Sequence, residues 1–249
     1  MIAVQLQECA LQDQFKAGSS IDHCGLVSSG QARVHPQLEK HVRRHLETPW
    51  SQPLHRPTIE AYHRLNSEGV FSTGKPFILD SGCGTGKSTR LLAALYPDHW
   101  VIGVDQSQDR LSRSGVESGF LRSENCILTR AELATFWRLL LADDYSPEKH
   151  FLFYPNPWPK SGHLSRRWHG HPVFPQLLRL GGEIELRCNW EVYALEFAQA
   201  VAIASGVTVN VTNFEPHNGI TPFEQKYLER GQRLYSVVVS AQITNAFRQ

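Results

Sequence analysis

Two stretches of this 249-residue chain carry residue types at spacings that suit chemistry. The first is Asp80-Ser81-Gly82-Cys83-Gly84-Thr85-Gly86, an acid followed by a glycine-rich turn. Glycines lack a Cβ, so such a turn lets backbone N–H groups come close to a ligand. Asp105 follows about twenty residues on, where a carboxylate can bind both hydroxyls of a ribose. The second stretch is Asn156-Pro157-Trp158-Pro159-Lys160-Ser161-Gly162-His163-Leu164-Ser165-Arg166-Arg167. Its two prolines fix the backbone beside Asn156. Lys160, His163, Arg166 and Arg167 then form a compact cationic loop suited to phosphate.

Several other chemistries fit less well. Gly86-Lys87-Ser88 imitates the end of a nucleotide-binding P-loop, but that motif needs a glycine where Ser81 stands. The five cysteines, Cys9, Cys24, Cys83, Cys126 and Cys188, are scattered and never form C-x-x-C, which argues for reduced thiols rather than a disulfide framework or a zinc site. The twelve histidines form no H-E-x-x-H pattern, so no metal is expected. A net charge of +1 neither demands nor excludes a nucleic-acid partner, and a local basic patch must carry that argument. The first residues have no basic start and no long apolar run, so no signal peptide is expected. No run of about 18 uncharged apolar residues occurs, so no membrane span is expected either.

The elements that must position these residues alternate. FILD (77–80) and WVIGVD (100–105) are apolar runs ending in an acid, and each leads into a helical segment, at 87–96 and 108–119. Strands follow at 125–130 and 150–155, and a turn and strand at 181–188, with helices at 132–144, 173–180 and 191–205. TVNVTNF and RLYSVVVSAQI read as a final antiparallel strand pair. This alternation predicts a Rossmann-like α/β fold, a mostly parallel sheet with helices on both faces. A boundary near residue 70 separates an N-terminal arm (1–70) from a catalytic domain (71–249). Residues 1 to about 30 are polar and read as loosely ordered. In 35–47 the residues Leu38, Val42 and Leu46 make an apolar stripe, with Lys40, Arg43 and Arg44 off it as possible nucleic-acid contacts. A second helix over 58–66 is expected to start at Thr58.

The acid and glycines at 80–86 resemble the D/E-x-G-x-G-x-G motif of class I methyltransferases. The loop at 156–167 resembles the P-D-P-W-P-K-x-x-H-x-x-R-R signature of the bacterial tRNA (guanine-N7)-methyltransferases. Cys188-Asn189-Trp190-Glu191-Val192-Tyr193 is similar to that family's T-D-W-x-x-Y, and Thr221-Pro222-Phe223-Glu224 to its T-x-F-E. The resemblance spans roughly residues 76 to 240. It implies a cytoplasmic class I methyltransferase that moves a methyl group from S-adenosylmethionine to N7 of guanine 46 in the tRNA variable loop. It implies a tRNA partner, no membrane, and no obligate second protein, so a monomer or homodimer. Carried over by motif position, Asp80, Gly82, Gly84, Gly86, Asp105 and Asn156 surround the donor, with Asn156 at the catalytic position. Lys160, His163, Arg166, Arg167, Asn189, Thr221, Phe223 and Glu224 meet the substrate, and Glu224 is expected to accept hydrogen bonds from guanine N1–H and its 2-amino group.

Two departures stand out. The family pattern has Asp where this chain has Asn156, and again where it has Asn189. An amide keeps an acceptor oxygen but loses the charge, worth about 1–3 kcal/mol in a hydrogen bond. Another RNA or a small molecule as substrate, or a homologue that binds tRNA without turnover, therefore stays open.

Overall fold

A computed structural model describes residue 27 and residues 29–248. The loose ordering expected before residue 27 falls outside the described residues. Two helices come first, α1 (Leu38–Glu47) and α2 (Arg56–Ser67). There follow β1 (Phe77–Ser81), α3 (Lys87–Leu95), β2 (Trp100–Asp105), α4 (Gln108–Ser112), β3 (Phe120–Ser123), β4 (Cys126–Arg130) and α5 (Leu133–Ala142). The remainder is β5 (Lys149–Phe153), α6 (Phe174–Arg179), β6 (Glu183–Cys188), α7 (Glu191–Ser205), β7 (Val211–Phe214), α8 (Pro222–Glu229), β8 (Leu234–Val239) and α9 (Ala241–Asn245).

The strands form one sheet in the order β3-β4-β2-β1-β5-β6-β8-β7. The central strands β4, β2, β1, β5 and β6 pair in parallel. β8 runs antiparallel to both β6 and β7, which gives the expected C-terminal antiparallel pair. This is the Rossmann-like α/β arrangement that the alternation of elements predicts. The order in which strands are added reverses between β1 and β5, and such a switch point opens a crevice at the strands' carboxyl ends.

Both faces of the sheet are covered, so the central strands read as continuous apolar runs. Leu79, Ile102, Leu152, Ile184 and Leu186 face one core. Their neighbours Ile78, Val101, Phe151 and Phe153 face a smaller one under Leu92 and Ala93 of α3. The arm shares the larger core, because Leu38, Val42, Tyr62 and Leu65 are buried with Phe136, Trp137 and Phe197.

The structure differs from the sequence expectations at several places. On α1 the buried stripe is Leu38, Val42 and His45, while Leu46 is 39% exposed. Helix α2 starts at Arg56 with Pro57 in its first turn; Thr58 is buried and its Oγ1 accepts from the Glu132 N–H at 2.8 Å. The helix expected over 108–119 stops at Ser112, and β3 pairs antiparallel with β4 beyond it. The last strand stops at Val239, and the chain turns into α9.

Candidate active site

The crevice holds a cavity of about 240 Å³ lined by the loops after β1, β2, β4 and β5. Ser81, Gly82, Asp105, Ser107, Arg110, Glu132, Tyr154, Asn156 and Trp168 are among its walls.

The glycine turn takes its shape from left-handed backbone at Gly82, Gly84 and Gly86 (φ +81°, +59° and +72°). Gly86 caps α3, and a Cβ there would lie 2.6 Å from Leu128 Cδ1. The turn is tied back to β2, since the N–H groups of Gly82 and Cys83 donate to the Val104 carbonyl at 2.8 and 3.1 Å. Of the three glycines, Gly82 faces the cavity. Gly84 acts through its N–H, which donates to Asp105 Oδ2 at 2.9 Å, while Ser107 N–H donates to Asp105 Oδ1 at 2.8 Å. Each carboxylate oxygen can accept a second bond, so Asp105 keeps capacity for a diol. Arg110 Nη1 stands 3.7 Å from Asp105 Oδ2.

Asp80 lies beneath the turn rather than on the cavity wall. Its Oδ2 accepts from Ser88 Oγ at 2.6 Å and Thr89 Oγ1 at 2.7 Å, which pins the start of α3. Burial pushes its carboxyl up to about 6, against the two hydroxyl donors that pull it down. Its Oδ1 is buried without a hydrogen-bond partner. Beside it, Ser81 Oγ lies 2.8 Å from His150 Nε2 and accepts from Trp137 Nε1 at 3.1 Å.

Asn156 stands exposed at the cavity rim, its Oδ1 accepting from Trp158 N–H at 3.3 Å. Tyr154 and Trp158 flank it with φ of +52° and +44°, unusual for bulky residues. Lys160 is exposed, and Arg166 lays its guanidinium over the Trp158 ring at 4.7 Å. The His163 ring meets Trp158 edge-on at 5.6 Å. Desolvation and the charges of Arg166 and Lys160 lower the His163 pKa, which favours the neutral ring.

Three expected substrate residues are placed otherwise. Arg167 is wholly buried and pairs with Glu196, so it reaches no phosphate at the surface. Glu224 is also wholly buried. It faces Arg187 Nη1 at 3.3 Å and accepts from Ile220 N–H at 3.3 Å, so its carboxylate is closed to a guanine edge in this structure. Thr221 is the N-cap of α8 and accepts from Glu224 N–H at 3.0 Å. Phe223 is 39% exposed and stacks on Tyr227, whose ring meets Tyr154 at 5.5 Å. Asn189 is half-buried at the end of β6, where its Nδ2 donates to Gln232 Oε1 at 2.9 Å. Gln232 carries both a donor and an acceptor, so it can pair with either an amide or a carboxylate at this position.

The motifs did not point to Ser107, Arg110 or Trp168 as cavity walls. Ser107 had a signal, being an N-cap type two residues after Asp105, and it does cap α4. Glu132 likewise caps α5, accepting from Ala134 and Thr135 N–H at 2.8 and 2.7 Å. No group of three or more His, Cys, Asp or Glu among the described residues is arranged to hold a metal. Among the described residues no helix is long and apolar enough to cross a membrane.

The chain is similar to several known proteins. A protein named tRNA (guanine-N(7)-)-methyltransferase from Burkholderia mallei is 25% identical over 177 residues, covering 69% of this chain and 67% of its own. One of the same name from Pseudoalteromonas atlantica is 28% identical over 211 residues, covering 80% and 83%. A solved structure titled "Structure of an Antibiotic Related Methyltransferase" is 14% identical with a TM-score of 0.48, covering 77% of this chain and 97% of that one. A family model described as "Putative methyltransferase" matches residues 74–237, well over half of the chain, and the chain belongs to that methyltransferase family.

Proposed function

We propose that this protein transfers the methyl group of S-adenosylmethionine to N7 of a guanine in tRNA, with guanine 46 of the variable loop as the target. The observation that supports this best is the junction of a ribose-type site at Asp105 with the exposed Asn156 and the cationic loop of Lys160, His163 and Arg166. The likeness to proteins named tRNA (guanine-N(7)-)-methyltransferase supports the substrate. The residues present fit the donor, because the glycine turn leaves backbone room and Asp105 retains acceptor sites. Bound there, S-adenosylmethionine supplies an electrophilic methyl on a sulfonium.

Guanine N7 carries an in-plane lone pair and needs no proton removed. The chain's task is therefore alignment and stabilisation of charge moving onto the purine. Asn156 offers its amide oxygen at the rim, and Lys160 and Arg166 hold the backbone of the substrate. We expect the protein to act in the cytoplasm as a monomer or homodimer.

The test uses purified protein, labelled S-adenosylmethionine and unmodified tRNA, followed by mapping of borohydride/aniline-sensitive N7-methylguanine. Label at the variable-loop guanine is expected. No label in any tRNA, with donor binding intact, would overturn the proposal in favour of another substrate. Two substitutions sharpen it. Asp105→Ala should weaken donor binding by about 10- to 100-fold, since hydrogen bonds to a charged group are worth about 1.5–3 kcal/mol; titration calorimetry reads this directly. Asn156→Asp should raise the rate by up to about tenfold, because a charged acceptor bonds roughly twice as strongly as a neutral one. Single-turnover kinetics showing no gain would remove Asn156 from the catalytic position.

A further inference from the structure

Glu196 on α7 is wholly buried, away from the cavity, and both of its oxygens are shared. Oε2 faces Arg167 Nη1 at 2.5 Å and His169 Nε2 at 2.9 Å. Oε1 accepts from Gln31 Nε2 at 2.6 Å and from the His35 N–H at 2.9 Å. Arg167 passes the connection on. Its Nη2 donates to Gln31 Oε1 at 3.0 Å, to the Trp158 carbonyl at 3.1 Å and to the Lys160 carbonyl at 3.3 Å. Its Nε also donates to the Trp158 carbonyl, at 3.3 Å. The carbonyl between them, that of Pro159, accepts from Ser29 Oγ at 2.6 Å.

Three consecutive carbonyls, 158 to 160, are thus held from behind by Arg167 and by the segment at 29–35. They belong to the loop that carries Asn156 and Lys160, and Trp158 has left-handed backbone there. Such backbone persists only where its surroundings over-determine it. Arg167 already neutralises Glu196, with His169 hydrogen-bonded beside it, so charge balance does not require the arm. The arm's side chains add geometry: Gln31 bridges Glu196 and Arg167, and Ser29 closes on the loop itself.

We infer that residues 29–35 form a strap that completes the substrate loop, with Ser29 and Gln31 as positioning residues that set, through Arg167 and the 158–160 carbonyls, where Asn156 and Lys160 stand. The kinetic part of this inference rests on the proposed tRNA methylation; the structural part does not.

The test compares the full-length protein with the double variant Ser29→Ala/Gln31→Ala and with Ser29→Thr, which keeps the hydroxyl. Hydrogen exchange should be faster in the double variant at the His163 and Arg167 amides, which donate to the Lys160 and Leu164 carbonyls. The circular dichroism spectrum and the affinity for S-adenosylmethionine should stay as in the parent. With unmodified tRNA, kcat should fall and KM rise, a combined loss of about tenfold in kcat/KM, while Ser29→Thr stays near the parent. Unchanged exchange at both amides would overturn the strap. Faster exchange with unchanged kcat and KM would overturn its role in positioning. If the parent methylates no tRNA, the proposed function fails, and the exchange comparison alone decides whether the strap holds the loop.

Discussion

Glu196→Ala is expected to lower the stability of the fold by about 3–5 kcal/mol, the usual cost of removing one partner from a buried ion pair. The change leaves the Arg167 guanidinium buried without a carboxylate and takes the acceptor from His169, Gln31 and the His35 N–H. For a chain of this length the melting temperature should fall by on the order of 10 °C. Removing both charges, as Glu196→Leu with Arg167→Met, should cost less than Glu196→Ala alone, because no charge is then stranded. Additive losses in that cycle, measured by urea denaturation, would show that the pair does not act as a unit. The pH window follows from the direction of the shift. His169 and Arg167 hold the Glu196 carboxyl down at about 2, against the desolvation that raises it. A depressed carboxylate contributes its full stability above its unfolded pKa of about 4.3 and loses it as pH falls through the folded value. The pair is therefore intact throughout the neutral range.

A second large effect concerns acid. Burial lowers the His150 pKa to about 3. The unfolded chain then takes up a proton near pH 6.5 that the folded chain refuses, so stability falls as pH drops from about 6.5 toward 3, by roughly 1.4 kcal/mol per pH unit. Desolvation shifts His41, His45, His169 and His171 in the same direction. Asp80 works the other way. Its raised folded value, about 6, means that the fold gains as that carboxyl protonates between pH 6 and the lower unfolded value. One acid opposes several imidazoles, so the net expectation is a marked loss of stability between pH 6.5 and 5. Urea midpoints measured at pH 7.5, 6.5 and 5.5 should fall in that order. In His150→Leu the pH slope should flatten by about one proton, on top of a pH-independent cost for Ser81. An unchanged slope would show that His150 is protonated in the folded state.

The parallel strands were legible because burial on both faces writes them as unbroken apolar runs, and the acids at 80 and 105 mark where two of them end. β3 was not, because Phe120-Leu121-Arg122-Ser123 is short and its last two residues are exposed, as befits an edge strand. α8 was legible and missed. Thr221 followed three residues later by Glu224, with Pro222 between, is a helix-start pattern. Read only as a substrate motif, it hid a capping residue and a buried ion pair. The same limit applies to Arg166 and Arg167. Adjacent and chemically identical, they part company in the fold, one stacked at the surface on Trp158 and the other sealed beneath it. Nothing in the local sequence distinguishes them, because the partner that draws Arg167 inward lies on α7. The glycine turn depends on local backbone and was readable; the burial of Arg167 and Glu224 depends on long-range charge pairing and was not.

That long-range pairing also has a consequence in time. Gln31 and His35 meet Glu196 across 165 and 161 residues of chain. At a synthesis rate of about 5–20 residues per second, roughly ten to thirty seconds separate the emergence of the strap from that of its anchor. During that interval Leu38 and Val42 have no α7 to pack against, and the arm, made before α7, can dock only after it. A chain released early, before α7, would have every residue of the glycine turn and of the cationic loop but not the Glu196 carboxylate that anchors Arg167 and Gln31. Synthesis through α7 thus becomes a precondition for anchoring the strap to the loop.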